Sequence, residues 1–115
     1  MNGTPYWQVE AFADRPGAGN PAGVFLLDSW PGDEWLQSAA AKLKLPATAF
    51  LVPSDAVDVD YEICWFSPKS EIALCGHASL ASGHVLLERD GGEDVRLQTR
   101  RAGIVEVAMA GRASS

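Results

Sequence analysis

The chain of 115 residues carries nine basic and fifteen acidic side chains, and this net charge of −6 disfavours binding to nucleic acid or an anionic membrane surface. A hydrophobic content of 47% is ordinary for one globular domain with a sizeable core. No apolar run approaches the length of a bilayer span, and the N-terminus lacks a signal-peptide pattern. We therefore expect a cytoplasmic location with reduced thiols at Cys64 and Cys75. No spacing of Cys and His side chains offers three convergent ligands, so no metal site is predicted.

The pattern of apolar, turn and capping residues predicts strands and helices in a mixed α+β order. Strands are expected over residues 6–12, 23–27, 48–52, 60–66, 95–99 and 104–109, and helices over 34–44 and 77–88. Asp33 is the expected N-cap of the first helix, which Pro46 terminates. The second helix consists of small and apolar residues on all sides, with His84 as a core residue. A helix of this kind must be buried on every side, so we expect a curved sheet wrapped around it as the most buried element.

Residues 74–81 (Leu-Cys-Gly-His-Ala-Ser-Leu-Ala) combine a thiol, a glycine and an imidazole where a strand-like segment gives way to the second helix. The first turn of that helix would direct N–H groups and a partial positive charge into a protected cavity. A substrate carboxylate would be held there, with Cys75 and His77 as candidate proton carriers. The alternative is a buried cysteine in a tight turn beside a histidine that is satisfied by its neighbours.

Three segments in order resemble the PhzF-like proteins, the phenazine-biosynthesis branch of the diaminopimelate epimerase-like superfamily. They are residues 8–12 (Gln-Val-Glu-Ala-Phe), 19–24 (Gly-Asn-Pro-Ala-Gly-Val) and 74–78 (Leu-Cys-Gly-His-Ala). The resemblance implies a barrel-like sheet around one central helix. Family members are normally longer, with two similar halves facing each other across the active site, and this chain resembles the N-terminal half only. Residues 1–110 are therefore expected to form one half-domain, and residues 111–115 a disordered tail.

The chain departs from the family at the general base. Where the family usually has Leu-Ser-Glu-Thr-Ala-Phe, residues 45–50 read Leu-Pro-Ala-Thr-Ala-Phe, so Ala47 stands in place of the catalytic glutamate. A methyl group cannot carry a proton. The resemblance leaves Cys75 and His77 as candidate catalytic residues, and Glu71 as a candidate replacement for the carboxylate. The expected substrate-binding residues are Asn20, Thr48, Gly76 and His77.

Two classes of function remain open. The first is a cofactor-independent isomerase, acting by proton transfer on a small carboxylate-bearing metabolite in biosynthesis, with its site between two half-domains. Its partner would be a second copy or a separate C-terminal-half protein. The alternative is a non-catalytic binding or structural half, which the loss of the base at Ala47 favours. A pocket recruited for cyclisation lies between these two.

Overall fold

The computed structural model describes residues 5–11, 20–108 and 113–114, which form eight strands and two helices. The strands are β1 (Tyr6–Ala11), β2 (Asn20–Leu26), β3 (Ala47–Pro53), β4 (Tyr61–Phe66), β5 (Glu71–Ile72), β6 (Asp94–Thr99), β7 (Ile104–Ala108) and β8 (Ala113–Ser114). The helices are α1 (Asp33–Leu43) and α2 (Gly76–Asp90). The elements expected from the sequence are thus present, and the fold is α+β as predicted. The two shortest strands, β5 and β8, were not predicted.

The strands form one mixed sheet in the order β1-β2-β3-β4-β6-β7-β8, with β5 paired to β4 beside this path. Two pairs of neighbours are parallel, β2 with β3 and β4 with β6, and the other pairs are antiparallel. The chain crosses between the parallel neighbours through α1 in the first case and α2 in the second. This matches the rule that parallel strands need a long crossover connection, usually helical.

The inner strand β3 is buried from Ala47 to Val52 because a helix covers each face of the sheet. Side chains alternate between the faces along a strand. Ala47, Ala49 and Leu51 belong to the core cluster that contains α2, whereas Phe50 and Val52 belong to the cluster that contains α1. The continuous apolar run in the sequence thus reflects two separate cores.

Helix α2 packs against strands from both ends of the sheet, contacting β1, β2 and β3 on one side and β6, β7 and β8 on the other. Ala78, Ala81 and Gly83 are buried, and such small side chains allow the helix axis to lie close to the sheet. At Gly83 a Cβ atom would come within 2.4 Å of Val107 Cγ1. The predicted wrapping of a curved sheet around the second helix is therefore confirmed.

Helix α1 packs on the opposite face through Leu36, Ala39 and Ala40, as its spacing predicted. The rings of Phe25 and Phe50 are stacked beneath it with centroids 5.3 Å apart. The prediction for its start was wrong. Asp33 is the first helical residue, and the N-cap is Gly32, which has no side chain to bond the open N–H groups. The helix ends at Leu43, followed by Lys44 in the left-handed conformation, φ 58°.

Two expectations for α2 were wrong. His84 is exposed rather than in the core, and its Nε2 atom lies 3.1 Å from Glu88 Oε1 on the next turn. The helix therefore has a solvent-facing stripe, and β3 is buried more completely than α2. Of residues 111–115, for which a disordered tail is predicted, Ala113 and Ser114 pair with β7, and the others lie outside the described residues. In the described part of the chain, neither helix is long and apolar enough to cross a bilayer.

Candidate functional site

The candidate site is centred on the start of α2. Cys75 is the N-cap residue, with extended backbone angles φ −136° and ψ 106°, and the first helical turn contains no acidic side chain. The Cys75 carbonyl oxygen accepts hydrogen bonds from Ser79 N at 3.0 Å and from Ser79 Oγ at 2.8 Å. These two hydrogen bonds orient the Cys75 carbonyl group along the helix, toward Ser79. The first-turn N–H groups have no carbonyl one turn earlier, and with the helix dipole they favour an anion at this end.

The α2 face of the sheet provides the wall of this site. Ala47 is fully buried in the core cluster on that face, and the half-buried Cys75 packs against the same cluster. The position of the family base and the candidate thiol therefore share one face of the sheet. The Ala47 methyl group is sealed by its neighbours and offers no atom that could move a proton.

Trp65 belongs to this same face and was not predicted as a site residue. Its side chain is 1% exposed, and its indole Nε1 has no hydrogen-bond partner among the described residues. A buried donor without an acceptor costs about 1–3 kcal/mol. Trp65 is paired with Ile72 of β5, shortly before the helix start. The only sequence signal was a tryptophan inside a buried strand that leads to the Cys-Gly-His segment.

Thr48 lies on the other face of the sheet. It alternates with Ala47 and Ala49 in β3, so its side chain projects toward the α1 side, between Gly23 and Phe66 of the neighbouring strands. It is fully buried, and its Oγ1 has no hydrogen-bond partner in the described part of the chain. The structure does not bring this hydroxyl together with Cys75. Its role in binding a substrate remains a prediction.

Glu71 cannot serve as the replacement base at the helix start. It pairs with Phe66, whose side chain lies in the α1 cluster, so Glu71 faces away from the α2 core. Its side chain is 15% exposed, and its carboxylate forms ion pairs with Arg100 at 3.3 Å and Arg101 at 3.4 Å. Both carboxylate oxygens are thus engaged by guanidinium groups on the α1 side of the sheet, Oε2 by Arg100 and Oε1 by Arg101.

The two cysteines have different environments. Cys64 is buried in the α1 cluster, whereas Cys75 packs on the α2 cluster, so the sheet separates them and both are outside any disulfide. Burial raises the pKa of the Cys64 thiol to about 12, against a smaller lowering by Arg100. Cys64 is therefore an inert structural thiol at neutral pH.

Three predicted site residues are described by their backbone only. Asn20 is the first residue of β2, and Gly76 and His77 open α2, while the side chains of Asn20 and His77 lie outside the described part of the structure. The binding and catalytic roles assigned to them stay predictions. Among the described residues, no group of three or more His, Cys, Asp or Glu side chains could hold a metal ion. A cavity of about 310 Å³ lies beside Arg89, near the opposite end of α2.

An open mixed sheet curved around one helix, with a Cys-Gly-His segment at the helix start, places the chain in the diaminopimelate epimerase-like class of folds. A family model described as phenazine biosynthesis-like protein (PhzC-PhzF) matches residues 9–115. The chain belongs to this family.

The relatives and solved structures described next are longer than this chain. The chain is 47% identical over 96 residues to an uncharacterized isomerase of Pseudomonas aeruginosa, covering 82% of this chain and 36% of that protein. The human phenazine biosynthesis-like domain-containing protein is 40% identical over 74% of this chain and 31% of its own length. The crystal structure of a Clostridium difficile PhzC/PhzF protein superimposes with a TM-score of 0.83 at 38% identity, covering 91% of this chain and 40% of that one. The chain thus spans about a third of the curated relatives it matches.

Proposed function

We propose that this chain is one half of a cofactor-independent isomerase that moves a proton beside the carboxylate of a small metabolite. The observation that carries the proposal is the start of α2. There a 15-residue helix without an acidic side chain in its first turn opens on the apolar α2 face of the sheet, with Cys75 as its N-cap. A helix start of this kind holds a carboxylate through N–H groups and the dipole. The relatives named as uncharacterized isomerases support the same class of reaction.

In this proposal the residues of the Cys-Gly-His segment have different roles. The helix start and His77 hold the substrate carboxylate, and the Cys75 thiolate removes the proton from the adjacent carbon. A proton then returns to that carbon or, where the substrate has a double bond next to that carbon, to the far end of that existing double bond, giving the isomer without net redox change. The location beside a carboxylate matters because its bound oxygens share the charge that develops when the proton leaves.

The site is completed by a second half in this proposal. The chain covers about a third of its curated relatives, and Leu74, next to Cys75, leaves 53% of its surface exposed. A second copy of the chain, or a separate C-terminal-half protein, would cover this side. Light scattering at micromolar concentration is expected to give a dimer. A monomer, with no partner recovered from the native source, would contradict the two-half site.

A non-catalytic binding half is the second candidate, and Ala47 is the observation that favours it. The buried methyl group leaves the family's base position empty of any proton acceptor. General base catalysis supplies about two to four orders of magnitude in rate. Without a replacement base, the chain would bind a carboxylate but exchange its protons no faster than the solution reaction.

Deuterium wash-in from heavy water separates the two candidates. The first probe is trans-4-hydroxy-L-proline, the small carboxylate bound in the solved hydroxyproline epimerase from Agrobacterium vitis, which shares the fold at a TM-score of 0.69 and 18% identity. Other small carboxylates follow as a panel. We expect measurable wash-in for the wild type and loss of it in Cys75→Ala and His77→Ala. The matched controls are Cys64→Ala, a thiol on the other face of the sheet, and His84→Ala, an exposed imidazole on the same helix.

Restoring the carboxylate provides the converse experiment. If no carboxylate in the panel exchanges with the wild type and Ala47→Glu gains wash-in, the natural chain is a binding half. Ala47 is fully buried, so the glutamate must displace its neighbours, and the fold of Ala47→Glu is checked by circular dichroism before activity is compared. Wash-in unaffected by Cys75→Ala would remove the thiol from the mechanism.

A further inference from the structure

The segment that leads into the helix start is held by a two-residue strand. β5 consists of Glu71 and Ile72, which pair with Phe66 and Trp65 of β4. Between β5 and Cys75, Ala73 and Leu74 are exposed and therefore contribute little packing. β5 is thus the last anchored point before the Cys-Gly-His segment.

The side chains of β5 are anchored on both faces of the sheet. Ile72 packs on the α2 core, while the Glu71 carboxylate lies on the other face against Arg100 and Arg101. Since only 15% of the Glu71 side chain is exposed, these ion pairs are less screened than pairs at the open surface. Loss of the charge on Glu71 or on Arg100 would release the α1-facing side of this two-residue strand.

Arg100 is itself fixed from other elements. Its guanidinium lies 3.2 Å from Asp33, the first residue of α1, and 5.4 Å from the centre of the Trp30 ring. Trp30 in turn donates a hydrogen bond from Nε1 to Glu62 of β4 at 2.7 Å. The planar guanidinium therefore joins the start of α1, the turn after β6 and the β5 carboxylate in one cluster.

We propose that Glu71 and Arg100 are positioning residues, which hold β5 and thereby set the place of the Cys75-Gly76-His77 segment at the start of α2. Neither touches the substrate, because both lie on the α1 side of the sheet. The functional meaning of this role rests on the proposed isomerase site. When the ion pair between Glu71 and Arg100 is broken, the Cys-Gly-His segment opens locally. The half-buried Cys75 then becomes more accessible, while the core around Cys64 stays closed.

Labelling of the two thiols by iodoacetamide tests the role without any substrate. In Glu71→Gln and in Arg100→Ala we expect Cys75 to be labelled about five- to tenfold faster than in the wild type, with Cys64 accelerated by no more than about twofold. Arg100→Lys keeps the charge but not the planar fork, so it is expected to fall between Arg100→Ala and the wild type. Arg96→Ala removes one exposed positive charge from β6 and is the matched control, with labelling unchanged.

The direction in which the labelling rate of Cys75 changes in the two variants distinguishes a positioning role from a direct electrostatic effect on the Cys75 thiol. Glu71→Gln and Arg100→Ala change the local charge in opposite senses, so a purely electrostatic influence would speed labelling in one and slow it in the other. Opposite directions, an equal acceleration of both thiols, or no change at Cys75 would each overturn the proposal. If Arg100→Ala does not fold, Glu71→Gln and Arg100→Lys still decide the question. Failure here refutes the positioning role alone, whereas absence of wash-in refutes the proposed function alone.

Discussion

The contact between Gly83 of α2 and Val107 of β7 makes one position of the fold intolerant of a single methyl group. A Cβ at residue 83 would lie 2.4, 2.5 and 2.9 Å from three atoms of Val107, which is 1% exposed. Replacing glycine by alanine within a helix usually stabilises it by about 1 kcal/mol. Overpacking a well-packed core costs about 1–3 kcal/mol, and separations this short favour the upper end. Gly83→Ala is therefore expected to lower the free energy of unfolding by about 2 kcal/mol.

Urea denaturation followed by tryptophan fluorescence measures this change, and a loss of about 2 kcal/mol corresponds to a melting temperature lower by about 8 °C. Val107→Ala alone should also destabilise, because it removes two buried methyl groups, by about 2 kcal/mol. In Gly83→Ala/Val107→Ala the close contacts with Cγ1 and Cγ2 are removed, while the contact with Cβ at 2.5 Å remains. The double variant is thus expected to be more stable than the sum of the single losses by at least about 1 kcal/mol.

His84→Ala is the matched control, because His84 follows Gly83 in α2 but is exposed. It should change the free energy of unfolding by less than about 0.5 kcal/mol. A Gly83→Ala variant as stable as the wild type would show that helix and sheet separate at little cost. Strict additivity in the double variant would show that the two positions do not meet. Either result would refute the close packing on which the wrapped sheet depends.

Three further predictions concern the α1 side of the sheet. Burial raises the pKa of Cys64 from 9.0 to about 12, so the unfolded chain loses this proton first and stability should fall as pH rises from 9 toward 12, less steeply in Cys64→Ala. Thr48→Val removes a buried hydroxyl without a described partner and should raise the free energy of unfolding by about 1 kcal/mol in urea, whereas destabilisation would reveal a partner for Oγ1. Gly32→Ser supplies the missing side-chain cap of α1 and should raise the free energy of unfolding by about 0.3 kcal/mol in the same assay. A lower free energy of unfolding would mean that the hydroxyl does not reach the open N–H groups.

Local patterns were sufficient to predict most of the fold. The alternating and continuous apolar runs identified the six longer strands, because each buries at least one face. The position of His84 could also have been predicted. It lies four residues before Glu88, and this spacing places two polar side chains on one exposed stripe of an otherwise apolar helix. β5 left no signal, because two residues are too few to show a period.

The candidate site was predictable in its chain position but not in its supports. The Cys-Gly-His segment identified the helix start by itself. Glu71, in contrast, was a candidate base because of its nearness in sequence, and only the register with Phe66 shows that it faces the other core. Its ion pairs join residues 29 and 30 positions apart, and no local pattern encodes such a pair. The orphaned Trp65 donor is likewise a property of packing alone.

The opposite placement of α1 and α2 has a consequence for which residues can reach the proposed site. The steps from β2 to β3 and from β4 to β6 go the same way across the sheet, but antiparallel pairing of β3 with β4 reverses the strand direction between them. Crossovers are almost always right-handed, so two such units must carry their helices on opposite faces. The handedness of the two crossovers therefore decides which helix each side chain of β3 faces. Odd-numbered positions such as Ala47 face the helix that begins at the site, and even-numbered ones such as Thr48 face the other.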